Sequence, residues 1–150
     1  MRITVYSDYS LRLLIYLGVA LDRRCTISDV AEHYGISRNH IMKVAHELGR
    51  AGFVETVRGR SGGLKLARPP EAVRVGEVLR VTEVDFALVP CFESPRLCPI
   101  TPSCVLKRAL AEALRAFLAV LDGYTLADLV APSSALRRDL GLADAQPALD

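Results

Sequence analysis

Three cysteines crowd a short stretch of this chain: Cys91, Cys98 and Cys104, in the spacing C-x6-C-x5-C. Four prolines, Pro90, Pro95, Pro99 and Pro102, stiffen the same stretch and argue for an ordered loop without regular structure. Thiolates are soft donors, and three of them within fourteen residues suit a metal ion or an iron–sulfur cluster. The spacing matches neither the paired knuckles of a zinc ribbon nor the ferredoxin pattern. From the residues alone, a cluster, a structural zinc and a thiol–disulfide redox switch all stay open. Cys25 stands apart and reads as a small buried hydrophobe.

A second constellation is basic and polar. Ser37, Arg38, Asn39 and His40 open a helical pattern, and Lys43 follows one turn later. Short polar and basic side chains at a helix N-terminus are what reading base edges in a major groove requires. Asn pairs bidentately with adenine, and Arg with guanine. Arg58 and Arg60 sit in a glycine-rich tip slim enough to approach phosphates or a minor groove. Thr26, at the start of the preceding helix, is counted with this DNA-binding set. Between Ser37 and Arg68 seven basic residues face only Glu47 and Glu55, although the whole chain carries just +2. One basic block on an otherwise slightly acidic protein is a polyanion-binding footprint. His33 and His46 are read as helix residues with no ligand role.

The elements that must hold these residues follow from pattern and punctuation. Ser7 is placed as the cap of a helix over about Asp8–Ala20, apolar nearly all round. Thr26 and Asp29 form a capping box for a short helix that Gly35 ends. Ser37 caps the next, where Ile41, Val44, Ala45 and Leu48 recur at helical spacing. Two short helices across a tight glycine turn are a helix-turn-helix. Phe53–Val57 and Leu64–Ala67 flank the basic tip as a β-hairpin wing. A short amphipathic helix is expected over Val75–Val81 and a long one over Ser103–Leu121, with Thr125 and Asp128 capping a last turn. The fold class is thus mainly α with one small hairpin: a winged helix-turn-helix plus a long dimerisation helix. The expected organisation is a DNA-binding domain over 1–80, a cysteine loop over 81–104, the dimerisation helix over 105–130 and a flexible tail over 131–150.

The apolar run Leu11–Leu21 is too short to span a bilayer, and no small-residue cleavage site follows it. A cytoplasmic protein with no membrane partner is expected. An enzyme is disfavoured, since there is no nucleophile–base pair, and the glycine run sits on a hairpin instead of between strand and helix.

Taken together, several segments resemble the NsrR repressors, a bacterial family of nitric-oxide sensors. They are Arg2-Ile3-Thr4-Val5-Tyr6-Ser7-Asp8-Tyr9, Gly35-Ile36-Ser37-Arg38-Asn39-His40-Ile41-Met42-Lys43-Val44 and the wing Thr56-Val57-Arg58-Gly59-Arg60-Ser61-Gly62-Gly63-Leu64. Later come Asp85-Phe86, Cys91-Phe92, Cys98-Pro99-Ile100, Cys104, Leu106-Lys107 and Ala116-Phe117-Leu118-Ala119-Val120-Leu121-Asp122, so the likeness spans roughly residues 1–130. It implies an iron–sulfur cluster on Cys91, Cys98 and Cys104, with 4Fe–4S preferred over 2Fe–2S. It further implies a fourth ligand, Asp8, supplied by the other protomer of a homodimer. The related regulator IscR uses a histidine three residues after its last cysteine, where this chain has Lys107. Three thiolates and a carboxylate leave about two negative charges on such a centre. Arg12, one turn after Asp8, is placed to offset part of them. The implied function is repression: the dimer binds palindromic double-stranded operator DNA while the cluster is intact and lets go on meeting nitric oxide.

Overall fold

The apolar run near the N-terminus becomes the C-terminal half of the first helix, α1 (Val5–Val19), and the two residues after it. The computed structural model describes residues 2–59 and 62–142. The cap of α1 lies earlier than the sequence suggests: Thr4, not Ser7, accepts an N–H, that of Ser7, at 3.1 Å. Ser7 is itself fully buried, and its hydroxyl is engaged elsewhere, 2.8 Å from Thr82 Oγ1. Because the Thr82 hydroxyl donates to Val78 O at 3.0 Å, its oxygen accepts from Ser7.

α2 (Ile27–Tyr34) starts at the complete Thr26/Asp29 capping box and stops at Gly35, whose φ of 63° is left-handed and costs a side chain-bearing residue energy. α3 (Arg38–Arg50) follows at once, with the Ser37 hydroxyl accepting the His40 N–H. The three helices bury one core of Leu13, Leu14, Leu17, Val30, Ile41, Val44 and Leu48. Their mutual orientation is set by that packing.

The wing is an antiparallel pair, β1 (Val54–Val57) and β2 (Gly63–Leu66), in the register Val54↔Leu66 to Val57↔Gly63. Cys25 adds a third backbone to it, its carbonyl accepting the Leu64 N–H at 2.7 Å. The Cys25 side chain is buried, as its isolation suggested, and burial pushes its thiol up to about 11. At the foot of the wing Arg68 lies over the Phe53 ring and pairs with Glu77.

α4 (Val75–Thr82) lays Val75, Val78 and Leu79 toward the core beside α1. The proline-rich stretch, expected to lack regular structure, is more regular than that. It holds a single helical turn, α5 (Pro90–Glu93), and two 3-10 turns, Pro95–Leu97 and Thr101–Ser103. Proline supplies the φ of a first helical position, so the residues that block a long helix start these short turns.

α6 (Val105–Asp122) is the long helix, entered through Cys104 as cap. It leans on α4, where Gly76 permits close approach: a Cβ there would overlap the Asp122 carboxylate, which Arg80 grips at 2.5 and 2.7 Å. None of its residues is buried in the single chain.

α7 (Leu126–Val130) begins at the expected capping box of Thr125 and Asp128. The expected flexible tail from residue 131 is a correction. Ser133–Asp139 form α8, Leu136 and Leu140 pack on the core, and Leu142 is buried. Arg137 ties this helix to Asp22 at 2.6 Å. Residues 143–150 lie outside the described residues.

Candidate nucleic-acid interface and thiol segment

The helix period splits α3 into two faces. Ile41, Val44, Ala45 and Leu48 are buried, whereas Ser37, Arg38, Asn39, His40, Met42, Lys43, His46 and Arg50 are all exposed. Asn39, Lys43 and His46 therefore share one outward strip with Met42, a residue the sequence reading passed over. Arg58 is exposed on the wing; Arg60 lies outside the described residues. Thr26 is half-buried and spent as the cap of α2, its hydroxyl accepting the Asp29 N–H at 3.2 Å. Its role here is to start the helix that supports α3.

α1 touches the reading helix directly. The Tyr9 ring lies 5.8 Å from the His40 ring. One residue earlier, Asp8 accepts two bonds from Arg12, at 3.1 Å from Nε and 2.9 Å from Nη2. The same guanidinium lies 5.8 Å from the centre of the Tyr34 ring at the end of α2. Burial raises the Tyr34 phenol, with Arg12 pulling the other way. Asp8 thus sits at a junction of all three helices. No spacing rule would have found Tyr9, because its partner is thirty-one residues away.

The N-terminal end of α1 is also latched to the end of α4. Beyond the Ser7–Thr82 bond, Glu83 Oε1 accepts the Thr4 N–H at 2.8 Å. The N-terminal end of α1 is therefore linked to α4 and, through Arg80 and Asp122, to α6.

Cys91, Cys98 and Cys104 are all free and half-buried, on the segment of short turns leading into α6. Cys104 Sγ accepts the Lys107 N–H at 3.3 Å, as the cap of α6. Among the described residues no three His, Cys, Asp or Glu side chains come close enough to hold an ion within one chain. The donor chemistry suits a cluster: three soft thiols, none in a disulfide, carried on or beside short turns. Asp8, the further ligand that the resemblance implies, is occupied by Arg12 in its own chain.

Residues 3–132 match the Rrf2 family model, described as an iron-dependent transcriptional regulator. The chain is 53% identical over 132 residues to the HTH-type transcriptional regulator NsrR of Bacillus subtilis, covering 87% of this chain and 90% of that one. With NsrR of Geobacillus kaustophilus the identity is 47% over 140 residues, 91% and 95% of the two chains. Among solved structures, a putative transcriptional regulator of Listeria innocua superposes with a TM-score of 0.72 at 28% identity, covering 87% of each chain. IscR of T. potens gives 0.72 at 24% identity, over 98% of this chain and 94% of that one, a likeness of fold alone.

Proposed function

Because the chain belongs to the Rrf2 family of transcriptional regulators, we propose that it is a cytoplasmic, nitric-oxide-responsive repressor that binds a palindromic operator as a homodimer while an iron–sulfur cluster is in place. The observation that carries the reading is the junction at Asp8, where a carboxylate able to ligate iron lies one residue from a side chain touching the reading helix.

Dimerisation is argued from α6. Leu106, Ala109, Ala113, Ala116 and Val120 are exposed and recur at alternating steps of three and four, the period of a helix–helix seam. Small alanines at its centre let two such helices approach closely. Two-fold pairing would present two α3 strips to half-sites about 34–36 Å apart.

Cys91, Cys98 and Cys104 of one protomer, with Asp8 of the other, would hold the cluster, 4Fe–4S in preference to 2Fe–2S. When bound, the cluster supplies iron that reacts with nitric oxide. The chain's own residues do the rest. Asp8 would have two alternative partners: Arg12 within its helix, as seen in the single chain, or the other protomer's thiol segment. Drawn across the interface it leaves Arg12 to the Tyr34 face and fixes the first turn of α1; released, it returns to Arg12. Tyr9 carries the difference to His40 and so to the strip of Arg38, Asn39, His40 and Lys43 that meets the bases. Arg58 and Arg60 on the wing contact phosphates or the minor groove. An allosteric coupling of about 1–3 kcal/mol suffices for derepression.

Anaerobically purified protein should show a cluster chromophore and acid-labile sulfide, and should retard operator DNA until nitric oxide is added. Zinc without sulfide would instead support a structural-metal regulator on the same cysteines. Retardation unchanged by nitric oxide would refute the sensing role.

A further inference from the structure

Resting on the DNA-reading role of α3, we infer that Met42 reads the 5-methyl group of a thymine. The side chain is 51% exposed, at the centre of the outward strip between Asn39, Lys43 and His46. Every other member of that strip is polar or basic, and the apolar side chains of α3 lie on the opposite, buried face. Exposed apolar residues are ordinary one at a time. This one occupies the face that must enter the groove, one turn in from the N-terminus, with half of its surface open to solvent. The only apolar feature on the floor of a major groove is the thymine methyl, and contact with it is a recognised mode of readout. Asn39, one turn earlier, has the amide that pairs with adenine, so the two together select neighbouring A·T pairs. Methionine suits the task because its unbranched, polarisable thioether adapts to a small apolar target.

The test uses the anaerobic, cluster-loaded dimer and a duplex that the protein itself selects from a randomised library, with each thymine replaced in turn by deoxyuridine. The exchange removes only the methyl group. One thymine per half-site should weaken binding about fourfold on losing its methyl, the worth of one buried methyl(ene), and the others should not. Met42→Ala and Met42→Gln should bind the thymine duplex less tightly and lose the methyl dependence, while Met42→Leu keeps it. Unchanged affinity of the variants for an unrelated duplex would show that the fold and the phosphate contacts are intact. The inference is overturned if no thymine is methyl-sensitive, or if Met42→Ala retains the sensitivity of the parent. Failure to select any sequence would remove the DNA-reading role itself, and this inference with it.

Discussion

Replacing Leu106 by alanine tests the seam on which the dimer depends. Leu106 is 64% exposed in the single chain, near the start of α6, and Ala109, Ala113, Ala116 and Val120 continue its row. The carbons lost beyond Cβ are worth about 2.4 kcal/mol when fully buried. Scaled by the exposed share that pairing can cover, the loss is roughly 1.5 kcal/mol per protomer. A two-fold interface counts the change twice, so about 3 kcal/mol, or roughly a hundredfold in the dimer Kd, should be lost. Alanine favours helix, so α6 itself should persist. Sedimentation equilibrium over a concentration series gives the Kd, and circular dichroism checks the helix. Arg115→Ala, at an exposed position of the same helix outside the row of Leu106, Ala109, Ala113, Ala116 and Val120, serves as the control and should leave association unchanged. A Leu106→Ala dimer within about threefold of the parent would show that α6 pairs by another face, or not at all.

Ser7→Ala deletes the donor to Thr82 from a buried bond. It should cost about 1–2 kcal/mol in urea unfolding, with Thr82 still bonded to Val78. The thiol of Cys25, pushed up to about 11, and the phenol of Tyr16, pushed up to about 12, are both held in the neutral form by burial. A folded value above the unfolded one means that this stability is complete below about pH 9. It is lost as pH rises through 11 and 12, and thermal melts should show the decline on the alkaline side. Consistent with that burial, Cys25 should resist alkylation until the chain unfolds, while Cys91, Cys98 and Cys104 in the cluster-free protein react at once. The Arg137 guanidinium holds the Asp22 carboxyl below its ordinary value, so the pair contributes above that ordinary value and fades as pH falls. Arg137→Ala should return Asp22 to the usual carboxylate range by NMR titration and speed hydrogen exchange in α8, with only a small fall in melting temperature because the Asp22 end of the pair is open to water.

Local chemistry was legible in the order of residues. A capping box, a glycine turn and a second cap write the helix-turn-helix into residues 26–52, because each signal acts within a few positions of itself. The hairpin wing and the long helix follow from period and punctuation in the same way. The errors lie where distant partners compete for a group. Ser7 has the right type and place for a cap, yet Thr82, seventy-five residues on, claims its hydroxyl, and the cap moves to Thr4. The stretch Ser133–Asp139 has weak periodicity, and the Arg137–Asp22 pair with the packing of Leu136, Leu140 and Leu142 on the core holds it as a helix. The candidate site divides similarly. The spacing of Cys91, Cys98 and Cys104 marks a thiol segment, but that Asp8 stands beside the reading helix through Tyr9 and His40 depends on how α1 packs against α3. Periodicity tells which face of a helix is apolar; it cannot tell what that face will touch. That was decided by the packing of side chains far apart in the chain, as was the lack of any fully buried residue in α6.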